Sequence, residues 1–254
     1  MAQYVFGTGS LWGTPTQDAT GAAIANPTPV LFGTLQEVSL DTSFDTKMLY
    51  GNLQFPVAVG RGKGKISAKA KLAQFNGALI NSLFFGQTLT AGIVADVYDV
   101  TGSVIPTTPF QITPTVPSSG TWSQDLGVRD ANGITFTRVA SGPTTGQYSV
   151  ASGVYTFATA DTGKTVFISF QYTATSTSAQ KSTVTNLPMG YAPTFRADLS
   201  IPYNGKSLIV TLPQCLSNKL SFATKLDDFL VPEFDFDAFA NAAGQVMTYA
   251  LSDL

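Results

Sequence analysis

Histidine is absent from this 254-residue chain, cysteine occurs once, and charged residues make up only 12% of it. Without histidine the chain lacks the usual general base near neutral pH, the commonest metal ligand and the middle member of most Ser or Cys triads. Most hydrolase and zinc-site readings end there, and no cofactor is expected. Cys215 has no intrachain partner for a disulfide, and its apolar neighbours Leu212 and Leu216 mark it as a small buried residue rather than a nucleophile. Long hydrophobic runs are missing too: nothing approaches the roughly 18 apolar residues that span a bilayer. The opening Met1-Ala2-Gln3-Tyr4-Val5-Phe6 has neither the basic nor the apolar region of a signal peptide. The expectation is synthesis in a cytoplasm, without a membrane segment.

An apolar fraction of 44% supplies a real core. The charge share is about half that of an ordinary soluble domain, and the net charge is −2. Little electrostatic repulsion keeps such molecules apart, so the composition points to surfaces covered by other subunits.

Short apolar runs separated by turn formers dominate the pattern, which predicts a mainly β protein. Strands are expected at 30–32, 35–40 and 49–59, the last broken by Pro56 and so suited to an edge or a bulge. Leu72, Phe75, Leu79 and Leu83 fall at helical spacing, with Gly86 placed to stop the helix and Gly77 inside it at a cost of about 1 kcal/mol. A Pro-rich stretch, 106–120, reads as a linker or a boundary. The hairpin-rich segment after it, up to a Ser/Thr-rich return at 173–185, reads as an insertion. Longer strands resume at 194–201, 206–212, 218–226, 229–239 and 244–251. The expected organisation is a discontinuous main β domain, 1–100 with 186–254, interrupted by a β-rich module, 101–185.

Two charged stripes stand out. Arg61, Lys63, Lys65, Lys69 and Lys71 share the odd positions of 61–71 with Ser67, and Gly62, Gly64, Ile66, Ala68 and Ala70 fill the even ones, so a regular strand places every charge on one face. Glu233, Asp235 and Asp237 alternate with Phe234 and Phe236, giving a strand with one acidic and one aromatic face. The stripes either pair within a subunit, pair between subunits, or line a surface that meets charged cargo. The basic one also fits a solvated edge strand guarded by lysine, and an acidic wall would repel passing DNA. Five basic residues without interleaved aromatics make a poor nucleic-acid footprint. The 60–65 segment lacks the spacing of a phosphate-binding loop. Asp96 and Asp99, an odd number apart, fall on opposite faces of a strand and make no catalytic pair.

The runs Phe32-Gly33-Thr34-Leu35, Leu49-Tyr50-Gly51-Asn52 and Gly60-Arg61-Gly62-Lys63, the helix ending Leu83-Phe84-Phe85-Gly86, and Pro232-Glu233-Phe234-Asp235-Phe236 together resemble the tail tube proteins of long-tailed bacteriophages. Gly146-Gln147-Tyr148 and Gly153-Val154-Tyr155 are similar to a β module that recurs in phage structural proteins. The resemblance implies an antiparallel sandwich or barrel flanked by one α-helix, with protomers closing into hexameric rings that stack into a hollow tube for DNA. It also implies partnership with further copies and other tail proteins, transient non-specific contact with DNA, and residence in the virion after synthesis in the host bacterium. Under it, 14–29 reaches the next ring, 35–55 and 61–71 lie in the wall, and the inserted module hangs outside as a decoration. The competing reading is a receptor-binding or adhesive protein using Trp122, Tyr148 and Tyr155, although their strand positions suit core residues.

Overall fold

The computed structural model of the chain describes residues 4–253. The strands are, in order, β1 (Ser10–Gln17), β2 (Val30–Leu31), β3 (Leu35–Tyr50), β4 (Pro56–Leu72), β5 (Thr90–Ala91), β6 (Ile93–Val97), β7 (Ser103–Val104), β8 (Gln111–Ile112) and β9 (Thr121–Asp130). There follow β10 (Thr137–Arg138), β11 (Gln147–Ala151), β12 (Val154–Phe157), β13 (Thr165–Ala174), β14 (Gln180–Lys181), β15 (Thr194–Tyr203), β16 (Lys206–Ser221), β17 (Glu233–Ala238) and β18 (Thr248–Asp253). The architecture is mainly β with antiparallel sheets and one short helix, as the apolar alternation predicts. One unit takes the two ends of the chain, up to Thr88 and from Ser182, and Leu89–Lys181 forms the other.

In the first unit, eight antiparallel strands run β2-β1-β15-β16-β17-β4-β3, with β18 also paired to β16. The sheet curls on itself. Leu11 of β1, Val38 and Leu40 of β3, Ala197 of β15 and Phe236 of β17 line one small apolar space, although β1 and β3 are far apart in strand order. Phe32, Leu72, Phe195, Phe234 and Cys215 complete this core, all fully buried. The alternation of β17 makes the arrangement possible, since Phe234 and Phe236 point inward while the acids between them stay on the outer face.

The helix is shorter than the spacing predicts. Residues 77–79 form one α-turn, α1, capped by Asn76, whose side chain accepts from the amides of Ala78 and Leu79; Ile80–Phe85 continue as a π-turn. Leu72 belongs to β4 instead, and its match to the helical stripe comes from facing the same core. Gly77 is the first helical residue, not an interior one, so the interior-glycine penalty does not arise. Gly86 stops the turn in the left-handed conformation, and its amide reaches back to the Asn81 carbonyl. The Ser217 hydroxyl of β16 donates to the Leu83 carbonyl at 2.6 Å, fastening the turn to the sheet. Buried Asn81 joins the two crossing points of the insertion: its amide donates to the Gln87 carbonyl and its oxygen accepts from the Ser182 hydroxyl.

The second unit contains two four-stranded sheets. One is ordered β10-β11-β12-β8; in the other, β13 is flanked by β9 on one side and by β6 and β7 on the other. Ile105, Val128, Tyr155, Val166, Ile168 and Phe170 fill the core between them. This unit begins at Leu89, earlier than the expected 101, because β6 pairs with β13 (Val97 opposite Phe170) and cannot be divided from it. The Pro-rich stretch is therefore an internal connection around β8, not a boundary. The ends of the unit lie side by side, with β5 paired to β14 through Thr90–Lys181 and Ala91–Gln180.

Candidate interaction surface

The two charged stripes meet inside a single chain. Strand β17 pairs with β4 so that Glu233 lies opposite Lys71, Asp235 opposite Lys69 and Asp237 opposite Ser67. The resulting ion pairs are Lys69–Glu233 at 2.7 Å, Lys65–Asp237 at 3.4 Å, Lys71–Glu37 at 2.5 Å and Lys219–Asp235 at 4.0 Å. Four carboxylates thus face four ammonium groups on the outer side of the sheet. The hydrogen bond between them holds the Glu233 carboxyl below its ordinary value and the Lys69 ammonium above its own. Cross-strand pairs of this kind favour one register over its slipped alternatives. Of the three uses the sequence leaves open for the stripes, pairing within the subunit is the one seen.

Arg61 and Lys63 do not join the ladder. The β3–β4 pairing shifts between Phe44 and Thr46, which lie opposite Gly64 and Arg61. This irregularity breaks the alternation on which the single-face expectation rests. The Phe44 ring covers Gly64, where a Cβ would lie 2.7 Å from it, and the Arg61 guanidinium stands 3.9 Å from the ring centroid. Arg61 is therefore carried to the face opposite Lys65, while Lys63 lies exposed in the ribbon.

That ribbon, residues 43–65, is the most unusual feature of the first unit. Strand β17 accompanies β4 only between Ile66 and Lys71, and β3 ends the sheet order, so among the described residues two strands continue beyond Ile66 without a neighbouring strand on either edge. Every residue from 43 to 65 is exposed, apart from Pro56. Leu53 and Phe55 are 74% and 79% exposed, and Met48, Leu49, Tyr50, Val57 and Val59 are also open. An isolated two-stranded ribbon is marginal in water, and open edges beside large apolar side chains are the features that soluble monomers avoid. No sequence motif singles out the ribbon, because its apolar residues alternate as those of a buried hairpin do. By contrast, 14–17 of the expected reaching segment lie within β1, paired to β15 with Thr14 opposite Arg196.

In the second unit the aromatic residues considered for ligand contact are structural. Tyr148 and Tyr155 are buried, and Trp122 packs against the same core. Both tyrosine hydroxyls donate to the Asp125 carboxylate, at 2.7 and 3.1 Å, and the Trp122 indole donates to the Tyr155 oxygen at 3.3 Å. Burial, followed for Tyr148 by its hydrogen bond to Asp125, pushes both phenols well above their usual range, so they remain neutral donors. Asp96 accepts from Gln171 and Asp99 from the amides of Thr101, Gly102 and Ile168, so these acids serve strand and turn geometry. Burial pushes the Cys215 thiol up to about 12, which keeps it unreactive. Among the described residues no group of three or more Cys, Asp or Glu is placed to hold a metal ion, and no helix is long and apolar enough to cross a membrane.

No protein-family model matches the chain, and a search of curated proteins finds no match.

Proposed function

We propose that this chain is a non-enzymatic structural protein that associates with copies of itself, and that it builds the tail tube of a long-tailed phage as stacked rings, a conduit for DNA. The observation that carries the self-association is the ribbon at 43–65, with two open edges and a series of exposed apolar side chains that only another protein surface can cover. The low charge share acts in the same direction, since few charges oppose the approach of a second copy. The curled antiparallel sheet with a helical turn on its core agrees with the architecture that the tail-tube resemblance implies. Six copies per ring, the DNA conduit, other tail proteins as partners and the virion location all follow from that resemblance. A balanced ladder of acids and lysines is compatible with a conduit wall, because it offers no excess positive charge to hold phosphate.

Sedimentation velocity over a wide concentration range, with negative-stain images of the same samples, tests this reading. Rings or tubes with a central hole are expected. A protein that stays monomeric at the highest concentration would end the proposal.

A further inference from the structure

The second unit presents the outer face of the sheet formed by β6, β13 and β9, and the side chains there are not those of a plain solvated surface. Residues 165–172 of β13 alternate between half-buried and buried positions, so Phe167, Ser169 and Gln171 share the outward side. Register sets Arg129 of β9 opposite Phe167, Gly127 opposite Ser169 and Gln124 opposite Gln171, with Asp96 of β6 on the other side of Gln171. Asp96, Gln171 and Gln124 thus form one row across three strands, about 10 Å wide at the usual strand spacing, and Gln171 donates to Asp96 at 2.9 Å. Two residues beyond Asp96 stands Tyr98, 66% exposed. The Arg129 guanidinium lies 4.7 Å from the Tyr98 ring centroid and 5.1 Å from that of Phe167, and it donates to the Asp99 carbonyl at 3.1 Å. Its buried Nε finds no acceptor among the described residues. Between the row and Arg129, Gly127 leaves open space where a Cβ would stand.

A buried donor left unpaired works against stability, and what Arg129 gains in exchange is its stacking on the two rings. That stacking holds an exposed aromatic ring beside a row of carboxylate and amide groups. A protein interface has apolar side chains at its centre and polar ones at its rim. Here the polar row occupies the middle, with the exposed Val94 and Tyr98 to either side of Asp96. Nucleic acid fits no better, since Asp96 repels phosphate and the one arginine is already engaged by two rings and a carbonyl. A pyranose matches the face: its C–H side packs on an aromatic ring, and its hydroxyls, each both donor and acceptor, pair with planar carboxylate and amide groups. We propose that this face binds a neutral oligosaccharide, with Tyr98 as the stacking platform and Asp96, Gln171 and Gln124 as partners of the hydroxyls. The inference goes beyond the self-assembly reading and is independent of it, because a single copy carries the whole face.

The test applies the whole chain to an array of neutral and acidic pyranose oligosaccharides and then titrates a retained sugar in solution by calorimetry. Retention on at least one neutral oligosaccharide is expected. Tyr98→Phe keeps the ring and should bind like the parent, whereas Tyr98→Ala and Gln171→Ala should each weaken binding about tenfold. Asp96 and Gln124 are exposed, so Asp96→Ala and Gln124→Ala provide the same comparison if melting followed by circular dichroism shows that Tyr98→Ala disturbs the fold. An array that retains the chain on no neutral sugar, retention confined to acidic sugars, or binding that these variants leave unchanged overturns the proposal. A chain that binds the sugar through this face yet never associates supports it and removes only the ring-forming reading.

Discussion

Gly86 stands at the junction where the helical turn must give way to the insertion. Its φ of 58° lies in the left-handed region, and a Cβ there would fall 2.5 Å from the Ala19 nitrogen and 2.8 Å from the Pro193 Cβ. Gly86→Ala combines backbone strain with a clash against backbone, and the expected loss is about 2–4 kcal/mol in urea denaturation followed on the first unit. Acidity acts on the carboxyls. For Asp99, burial raises the pKa, but the amides of Gly102, Ile168 and Thr101 outweigh it and leave the group below its ordinary value. Glu233 is lowered chiefly by its hydrogen bond from Lys69. Groups whose folded pKa is depressed add stability above the unfolded value and lose it as the pH falls through the folded one. The urea midpoint should therefore hold steady down to the ordinary carboxyl range, about pH 4, and decline below it. Asp99→Asn, which cannot titrate, should show a lower midpoint at neutral pH and a shallower acid decline.

The ribbon is the element on which the functional reading turns, and it can be removed without entering the core. Ser43 and Lys65 are the register pair at the base of the ribbon, so an Asn-Gly turn joining them closes a short hairpin of ordinary geometry. The shortened protein should melt within a few degrees of the parent, because the deleted residues are almost all exposed. It should also lose self-association in sedimentation. A monomer that unfolds, or one that assembles as before, would show that the ribbon has a different role. Elements of this kind are readable in part. The strands containing Phe234, Phe236 and the 65–71 lysines follow from period-2 alternation, whereas the helix boundaries do not, because Leu72 faces the same core from a strand and mimics helical spacing.

At the scale of the whole molecule, the two units have separate cores, one around Phe32, Phe195 and Phe234 and the other around Tyr155, Val166 and Phe170. The β5–β14 ladder joins the ends of the second unit, and the Asn81 hydrogen bonds join the crossing segments within the first. Scanning calorimetry should therefore resolve two transitions rather than one cooperative unfolding. Tyr155→Ala removes a fully buried ring and the phenol that donates to Asp125, and it is expected to cost the second unit about 3–5 kcal/mol. Only one transition should move, and self-association should persist. A single transition displaced as a whole would show that the units fold as one.

The sequence by itself determined the β class, the burial of Cys215 and the alternation of charge on β17 and on 65–71 of β4, because strand period and side-chain polarity are local properties. Only the tertiary structure decided that the acidic and basic stripes face each other in one chain, that a register shift near Phe44 turns Arg61 to the other face, and that 43–65 projects with no neighbouring strand among the described residues. Those outcomes depend on which strands pair and where the pairing stops. Partner choice is set by contacts between residues far apart along the chain, and no local pattern carries it.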